Sequence, residues 1–312
     1  MKKTLLVWML LALLIGPMGF FPFQSDAVIK QVDNQTDEHR IQTVRPTQNP
    51  IRILVHGKSI EFDAPPYIKE GRTMVPVRFV SERLGAHVDW DGSEQKVTIT
   101  MDERRVVLII GDTRALVDGR EIQLDVPAEI SKDRTMVPLR FVSEALGTEV
   151  EWDGDTRTVF VGPVEITLYF SDRNAEFLIP EKREVMGVDP GNAEKMSEEI
   201  FNQLLKGPER ADLRRTIHDS GTRNIVIILT GELPTTGTLY LNLTKNFVDR
   251  QKQVGLGSAG ETMAVYSIVN SLCEQPNVKS IKFLEEGRDP EAIFGHIYTG
   301  EPITPKWNLV RP

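Results

Sequence analysis

"RTMVPVRFVSE", residues 72–82, returns at 134–144 as "RTMVPLRFVSE", an offset of 62 with a single Val/Leu exchange. The match extends both ways without a gap. "LVHGKSIEFDAPPYI" (54–68) aligns with "LVDGREIQLDVPAEI" (116–130), and "LGAHVDWDG" (84–92) with "LGTEVEWDG" (146–154). One supersecondary unit therefore occurs twice, over about 54–100 and 116–162. Its parts are legible. Short strands turn at His56-Gly57 and Asp118-Gly119, where glycine supplies positive φ for a tight hairpin. "VPVRFVSERLG" is a short helix, with Pro76 in its first turn and Gly85 ending it. Val75, Phe79, Val80 and Leu84 form an apolar stripe at helical spacing. A second hairpin follows through Asp91-Gly92, and "RVVLIIGDTRALVDG" between the copies supplies another strand pair.

Comparing the copies separates packing from chemistry. Val75, Pro76, Phe79, Val80, Leu84, Gly85, Val88, Trp90 and Gly92 all reappear, as apolar faces, a helix start and turn glycines. Arg83, His87, Asp89 and His56 do not. The repeated polar residues are Arg78/Arg140, Glu82/Glu144 and Asp91/Asp153, for which a weak helical Arg–Glu pair and an Asp-Gly turn are sufficient reasons. The repetition is that of a fold.

Outside this unit the chain divides readily. "MKKTLLVWMLLALLIGPMGFFPFQSDA" has a basic start, an apolar run from Leu5 to Ile15 and a small-x-small "SDA" at 25–27, the pattern of a signal peptide cleaved after Ala27. Retention as a membrane anchor is the alternative, weakened by Gly16-Pro17. Residues 28–50 are polar, without apolar period, and read as a flexible linker. The duplicated domain over 51–162 is then followed by a second domain over 163–312. The 312 residues carry 37 basic and 45 acidic side chains, net −8, which argues against a general grip on nucleic acid. Lys182-Arg183 and Arg214-Arg215 are short basic pairs that read as solvated surface. A lone Cys273 excludes an internal disulfide and a multi-cysteine metal site.

In the second domain "VEITLYFSD" and "EFLIPEKREV" read as strands. "NAEKMSEEIFNQLLKGP" is an amphipathic helix with Met196, Ile200, Phe201, Leu204 and Leu205 inward. "RNIVIILTG" and "GTLYLNLT" are strands about the "ELPTTG" loop, "ETMAVYSIVNSLCEQ" is a buried helix, and "VKSIKFLEEG" is a last strand. The expected fold class is α+β throughout: a duplicated hairpin/helix/hairpin unit, then two helices on one mixed sheet in the order β-β-α-β-β-α-β.

"GRTMVPVRFVSERLGAHVDWD" and its twin closely resemble the repeat of the copper amine oxidase N-terminal-like, or stalk, domain of exported proteins in spore-forming Gram-positive bacteria. In the oxidases, copper and the tyrosine-derived quinone sit in a separate catalytic domain with three histidine ligands and an Asn-Tyr-Asp/Glu motif. This chain has no Asn-Tyr pair, and histidines 39, 56, 87, 218 and 296 are scattered, so no copper, other metal or cofactor is expected. "LYFSDRNAEFLIPEKREV", "LLKGP", "LYLNLTKNF", "VYSIVNSL" and "VKSIKFLEEG" resemble the GerMN domain, with Asn242 where such domains carry an acidic residue. That resemblance implies an exported, non-catalytic envelope protein acting in sporulation or germination. Its expected partners are peptidoglycan, envelope proteins or further copies of itself, since a related fold builds rings in sporulation machinery.

Other chemistries were weighed on their residues. Gly255, Gly257 and Gly260 form G-x-G-x-x-G before a helix, but the polar "VDRQKQ" separates them from the preceding strand, so they read as a flexible loop and not a nucleotide site. Ser258 with His218 or His296 lacks a nucleophile elbow. Cys273, within an apolar helix, reads as a structural thiol. Asp172, Glu181 and Glu184 are the carboxylates on which an alternative reading, a peptidoglycan hydrolase, would rest. No catalytic, cofactor or metal residue is assigned, and the residues that bind a ligand are left open.

Overall fold

The computed structural model describes residues 49–222, 224–228 and 237–311. The signal peptide read at 1–27, nearly all of the linker and the body of the "ELPTTG" loop lie outside the described residues.

The repeated phrase folds twice in the same way. In the first copy β3 (Tyr67–Lys69) and β4 (Arg72–Pro76) lead into α1 (Val77–Arg83). In the second, β10 (Glu129–Ser131) and β11 (Arg134–Pro138) lead into α2 (Leu139–Ala145). Each proline is the last strand residue and the helix N-cap, with φ near −62°. It marks the switch because the missing N–H is one a first turn leaves unbonded anyway. Gly85 and Gly147 follow the helices at positive φ, 90° and 85°. The copies meet about a pseudo-twofold axis: β4 pairs antiparallel with β11, Val75 opposite Val137.

The hairpins do not stay within their own copy. β1 (Arg52–Val55) and β2 (Lys58–Ser59) form the first hairpin, and β1 runs parallel to β13 (Thr158–Val161), the last strand of the second copy. With β12 (Val150–Asp153) they make the sheet β12-β13-β1-β2. Correspondingly, β8 (Arg114–Val117) and β9 (Arg120–Gln123) of the second copy join β5 (His87–Asp91) and β6 (Lys96–Met101) of the first through β7 (Arg104–Ile109), giving β5-β6-β7-β8-β9. The sequence unit of hairpin, helix and hairpin is thus not the structural unit. Both copies fill one core, in which Ile53, Val75, Val80, Ile99, Val137 and Val161 are fully or almost fully enclosed. Each such side chain contributes roughly 1.5–3 kcal/mol by leaving water.

The tight turns divide into two kinds. His56-Gly57 and Asp118-Gly119 adopt positive φ at both residues, as expected. At the other hairpins the left-handed residues are Gln95 (φ 47°) and Arg157 (φ 52°), not Gly92 or Gly154. Asp91 and Asp153 build these turns, their Oδ1 atoms accepting the backbone N–H of Ser93 (2.9 Å) and Asp155 (2.8 Å). Arg78 reaches Glu82 only at 3.9 Å.

The second domain adds further strands and helices among the described residues. β14 (Val164–Ser171) pairs antiparallel with β15 (Leu178–Val185). α3 (Ala193–Lys206) follows, then β16 (Ile225–Ile228) and β17 (Thr238–Leu243). α4 (Lys245–Val254), α5 (Gly257–Leu272) and β18 (Ser280–Glu285) complete it. The expected single mixed sheet is two sheets, β14-β15 and β16-β17-β18, with β17 and β18 parallel. The expected two helices are three α-helices among the described residues. "KNFVDRQKQV" looks polar, yet Thr244 caps Phe247 N–H, and Phe247, Val248 and Gln251 are buried. Phe247 wedges between Phe201 of α3 (5.3 Å) and Phe294 (6.1 Å).

Contacts join the two domains. Arg52 pairs with Asp189 at 2.7 Å, and His56 Nδ1 lies 3.1 Å from the Pro163 carbonyl. Gly162 (φ 75°) passes so close to the His56 imidazole that a Cβ there would collide with the ring.

Candidate functional site

A groove of about 500 Å³ opens on the second copy of the repeat. Its floor is Leu139, Phe141 and Val150, supplied by α2 and β12; Trp152 stands at one side, and Arg72, Asp125, Arg140 and Glu144 form the rim. Trp152 is 41% exposed although it shares a strand face with Val150, two residues away. A seven-residue helix spans only about 10 Å, and α2 packs against that strand without enclosing the indole. Arg72 Nε donates to Asp125 Oδ2 at 2.8 Å, a solvent-exposed pair that orders the rim more than it stabilises the fold.

The first copy repeats several of these parts. Arg134 donates to Asp63 at 2.9 Å, matching Arg72 and Asp125, and this bond holds the Asp63 carboxyl below its usual range. Trp90, 43% exposed, matches Trp152. Among the lining positions that differ between the copies, one exchanges an aromatic side chain. Phe62 packs on Phe79 with ring centroids 5.8 Å apart, whereas the second copy has Leu124 and Phe141 at these places. The first copy thus carries the larger ring at the position where Leu124 lines the groove of the second. Trp90 and Trp152, grouped in sequence with the buried apolar positions, are therefore outward-facing. Their signal was present in "DWD" and "EWD", where an aromatic stands between carboxylates on a hairpin.

The carboxylates weighed for hydrolysis do not gather. Asp172 Oδ1 accepts the N–H groups of Glu176 (2.8 Å) and Phe177 (3.1 Å) and closes a turn. Glu184 is exposed on β15, three residues from Glu181 and so on the opposite strand face. Glu181 is buried against Arg183 at 2.5 Å and accepts the N–H groups of Glu209 and Arg210. Burial raises its pKa, but those N–H groups and the guanidinium outweigh burial and hold it below the usual carboxylate range. Arg183 also donates to the carbonyls of Gln203 (3.0 Å) and Gly207 (2.5 Å) and lies over the Phe170 ring. It is an interior residue, which corrects its reading as solvated surface; Lys182 beside it is exposed and pairs with Glu165. Arg215 likewise donates to the carbonyls of Leu205 and Lys206 and closes the end of α3.

The glycine motif is also redefined. Gly255 (φ 69°) ends α4, while Gly257 (φ 63°) and Gly260 already belong to α5, so the stretch is a helix–helix corner and not a flexible loop. Glu261, buried in the next turn, accepts the N–H groups of His296 and Ile297 and contacts His296 Nδ1 at 2.7 Å. A fixed carboxylate at this corner disfavours a phosphate. Ser258 is exposed, and its carbonyl accepts from Thr262 at 2.9 Å. His218 is fixed by Gln251 through its backbone N–H (2.9 Å) and carbonyl (2.6 Å); burial first, then nearby Arg215, lower its pKa. Burial pushes the Cys273 thiol up to about 12, the behaviour of a structural thiol. Asn242 accepts the Gly287 N–H at 2.7 Å and so holds the turn after β18. Among the described residues no three His, Cys, Asp or Glu side chains are placed to share a metal ion. No described helix is long and apolar enough to cross a membrane.

No curated protein matches the chain. Several solved structures resemble part of it, three of them as follows. A candidate lipoprotein from Clostridium perfringens is 16% identical over 46% of this chain and 88% of that one, with a TM-score of 0.31. The tandem GerMN domains of the Bacillus subtilis sporulation protein GerM are 18% identical over 46% and 45%, TM-score 0.32. The first of those domains alone is 15% identical over 45% and 94%, TM-score 0.33. Family models match more of the chain: residues 54–161 match the copper amine oxidase N-terminal domain, and 167–291 the family described as sporulation and spore germination. This chain is a copper amine oxidase N-terminal domain followed by a sporulation and spore germination domain.

Proposed function

We propose that the protein is an exported, non-catalytic component of the cell envelope that acts in sporulation or germination by binding wall material. The developmental setting rests on the family of residues 167–291. Export rests on the basic and apolar start of the chain with "SDA" at 25–27. The observation that carries the binding role is the open groove beside Trp152, an exposed aromatic flanked by polar groups on a rigid repeat. Against the hydrolase alternative, Asp172, Glu181 and Glu184 are turn, ion-pair and surface groups without a common cleft. Co-sedimentation of residues 48–312, which form one compact unit, with purified peptidoglycan tests the role. Salt-resistant pelleting without release of soluble fragments is expected. Release of muropeptides would replace binding by hydrolysis.

Assembly with further copies is a second reading, favoured by the edge strand β9. All four of its residues are exposed, including Ile122. A dimer or larger species in light scattering, lost on replacing Ile122 by Lys, would favour it.

A further inference from the structure

We infer that the groove of the second repeat is a carbohydrate subsite that takes a neutral, N-acetylated glycan strand, with one sugar ring stacked on Trp152. The inference rests on the wall-binding reading above and names its site and ligand class. Three observations carry it.

First, the groove combines an apolar floor with a polar rim. A pyranose ring has an apolar C–H face and a rim of hydroxyls, so the exposed indole suits the face, and Arg140, Glu144, Arg72 and Asp125 suit the hydroxyl and amide groups. Its volume, about 500 Å³, lies within the ~300–1,000 Å³ of pockets that enclose small ligands.

Second, the rim carries two cations and two anions, and the whole chain is net −8. Neither field selects an anionic polymer, and the chain's own charge repels one. A ligand rich in hydrogen-bonding groups and free of net charge fits best.

Third, the molecule contains its own comparison. The first copy keeps the exposed Trp90, the Arg134–Asp63 pair, Arg78 and Glu82, yet Phe62, packed on Phe79, stands where the groove of the second has the smaller Leu124. If the repeated tryptophan served folding alone, the two copies would be equivalent. The second pairs the tryptophan with an open groove, and a bulkier side chain stands at the matching position of the first.

The test uses residues 48–312, soluble N-acetylglucosamine trimers and tetramers followed by calorimetry, and peptidoglycan pelleting in parallel. Trp152→Ala is expected to weaken oligosaccharide binding by about tenfold or more, the scale of losing one central aromatic contact. Leu124→Phe, which installs the first copy's residue, is expected to abolish binding while circular dichroism stays native. Trp90→Ala is expected to bind as the parent does. Three results would overturn the inference. Equal pelleting of parent and Trp152→Ala, with no oligosaccharide binding, removes the groove and leaves the wall-binding reading standing. Trp152-dependent pelleting without oligosaccharide binding shifts the ligand to the peptide part of the wall. No pelleting and no oligosaccharide binding sinks both readings together.

Discussion

Glu181 shows how far a residue's surroundings decide its role. In sequence it is one acidic side chain among 45, three positions from another. In the fold it is the counter-charge of a buried arginine and the acceptor for two backbone N–H groups after α3. Glu181→Gln keeps the shape but leaves the enclosed Arg183 with only the exposed Glu209, 3.6 Å away, as counter-charge. At neutral pH the substitution is expected to cost about 3 kcal/mol of stability in urea melts. The pH dependence has a definite sign. The folded-state pKa lies below the ordinary 4.5, so the carboxylate's contribution is full above that value and is lost as pH falls through the folded pKa. The gap between parent and variant should therefore close in acid. A gap that stayed constant to pH 3 would show that Glu181 acts through packing alone.

At the scale of elements, the repeated helices carry a shared defect. Ser81 and Ser143 are fully buried at matching positions of α1 and α2, and neither hydroxyl has a hydrogen-bond partner. An unpartnered buried hydroxyl costs about 1 kcal/mol or more. Ser81→Ala and Ser143→Ala should each be neutral or raise stability by about 1 kcal/mol, read from the denaturation midpoint. A loss from either would reveal a bond these hydroxyls make. The elements themselves were legible to different degrees. Proline-started α1 and α2 and the long amphipathic α3 follow from local pattern. α4 did not, because its apolar contribution is only Phe247 and Val248 at one end. The rest of its inward face is Gln251, which is buried by bonding His218 and not by being apolar.

At the scale of the whole molecule, the exchange of hairpins between copies governs stability. β1 finds its partner in β13, more than a hundred residues later, and the core draws on both repeats. A fragment of residues 51–101, one complete sequence repeat, therefore lacks β7–β9 and leaves β1 without β13. It is expected to be unfolded by circular dichroism and amide dispersion, while 48–312 folds. A cooperative melt from the fragment would show that the repeat is self-sufficient. The same arrangement explains why the groove was invisible beforehand. Its rim draws Arg72 from the first copy and Asp125 and Arg140 from the second, brought together only where β4 meets β11.

What depends on short range is written in the chain alone. Proline and glycine placed the helix limits, the two Asx-Gly-like turns at 56–57 and 118–119 followed from positive φ, and the offset of 62 established a duplicated fold. Tertiary structure decided what depends on pairing across distance: which hairpin joins which sheet, that the second domain splits into two sheets, and that Arg183 is inside while Trp152 is outside. The physical reason is the same in each case. Backbone dihedral preferences are written residue by residue, whereas burial and strand partnership are properties of surfaces that exist only once distant segments have met.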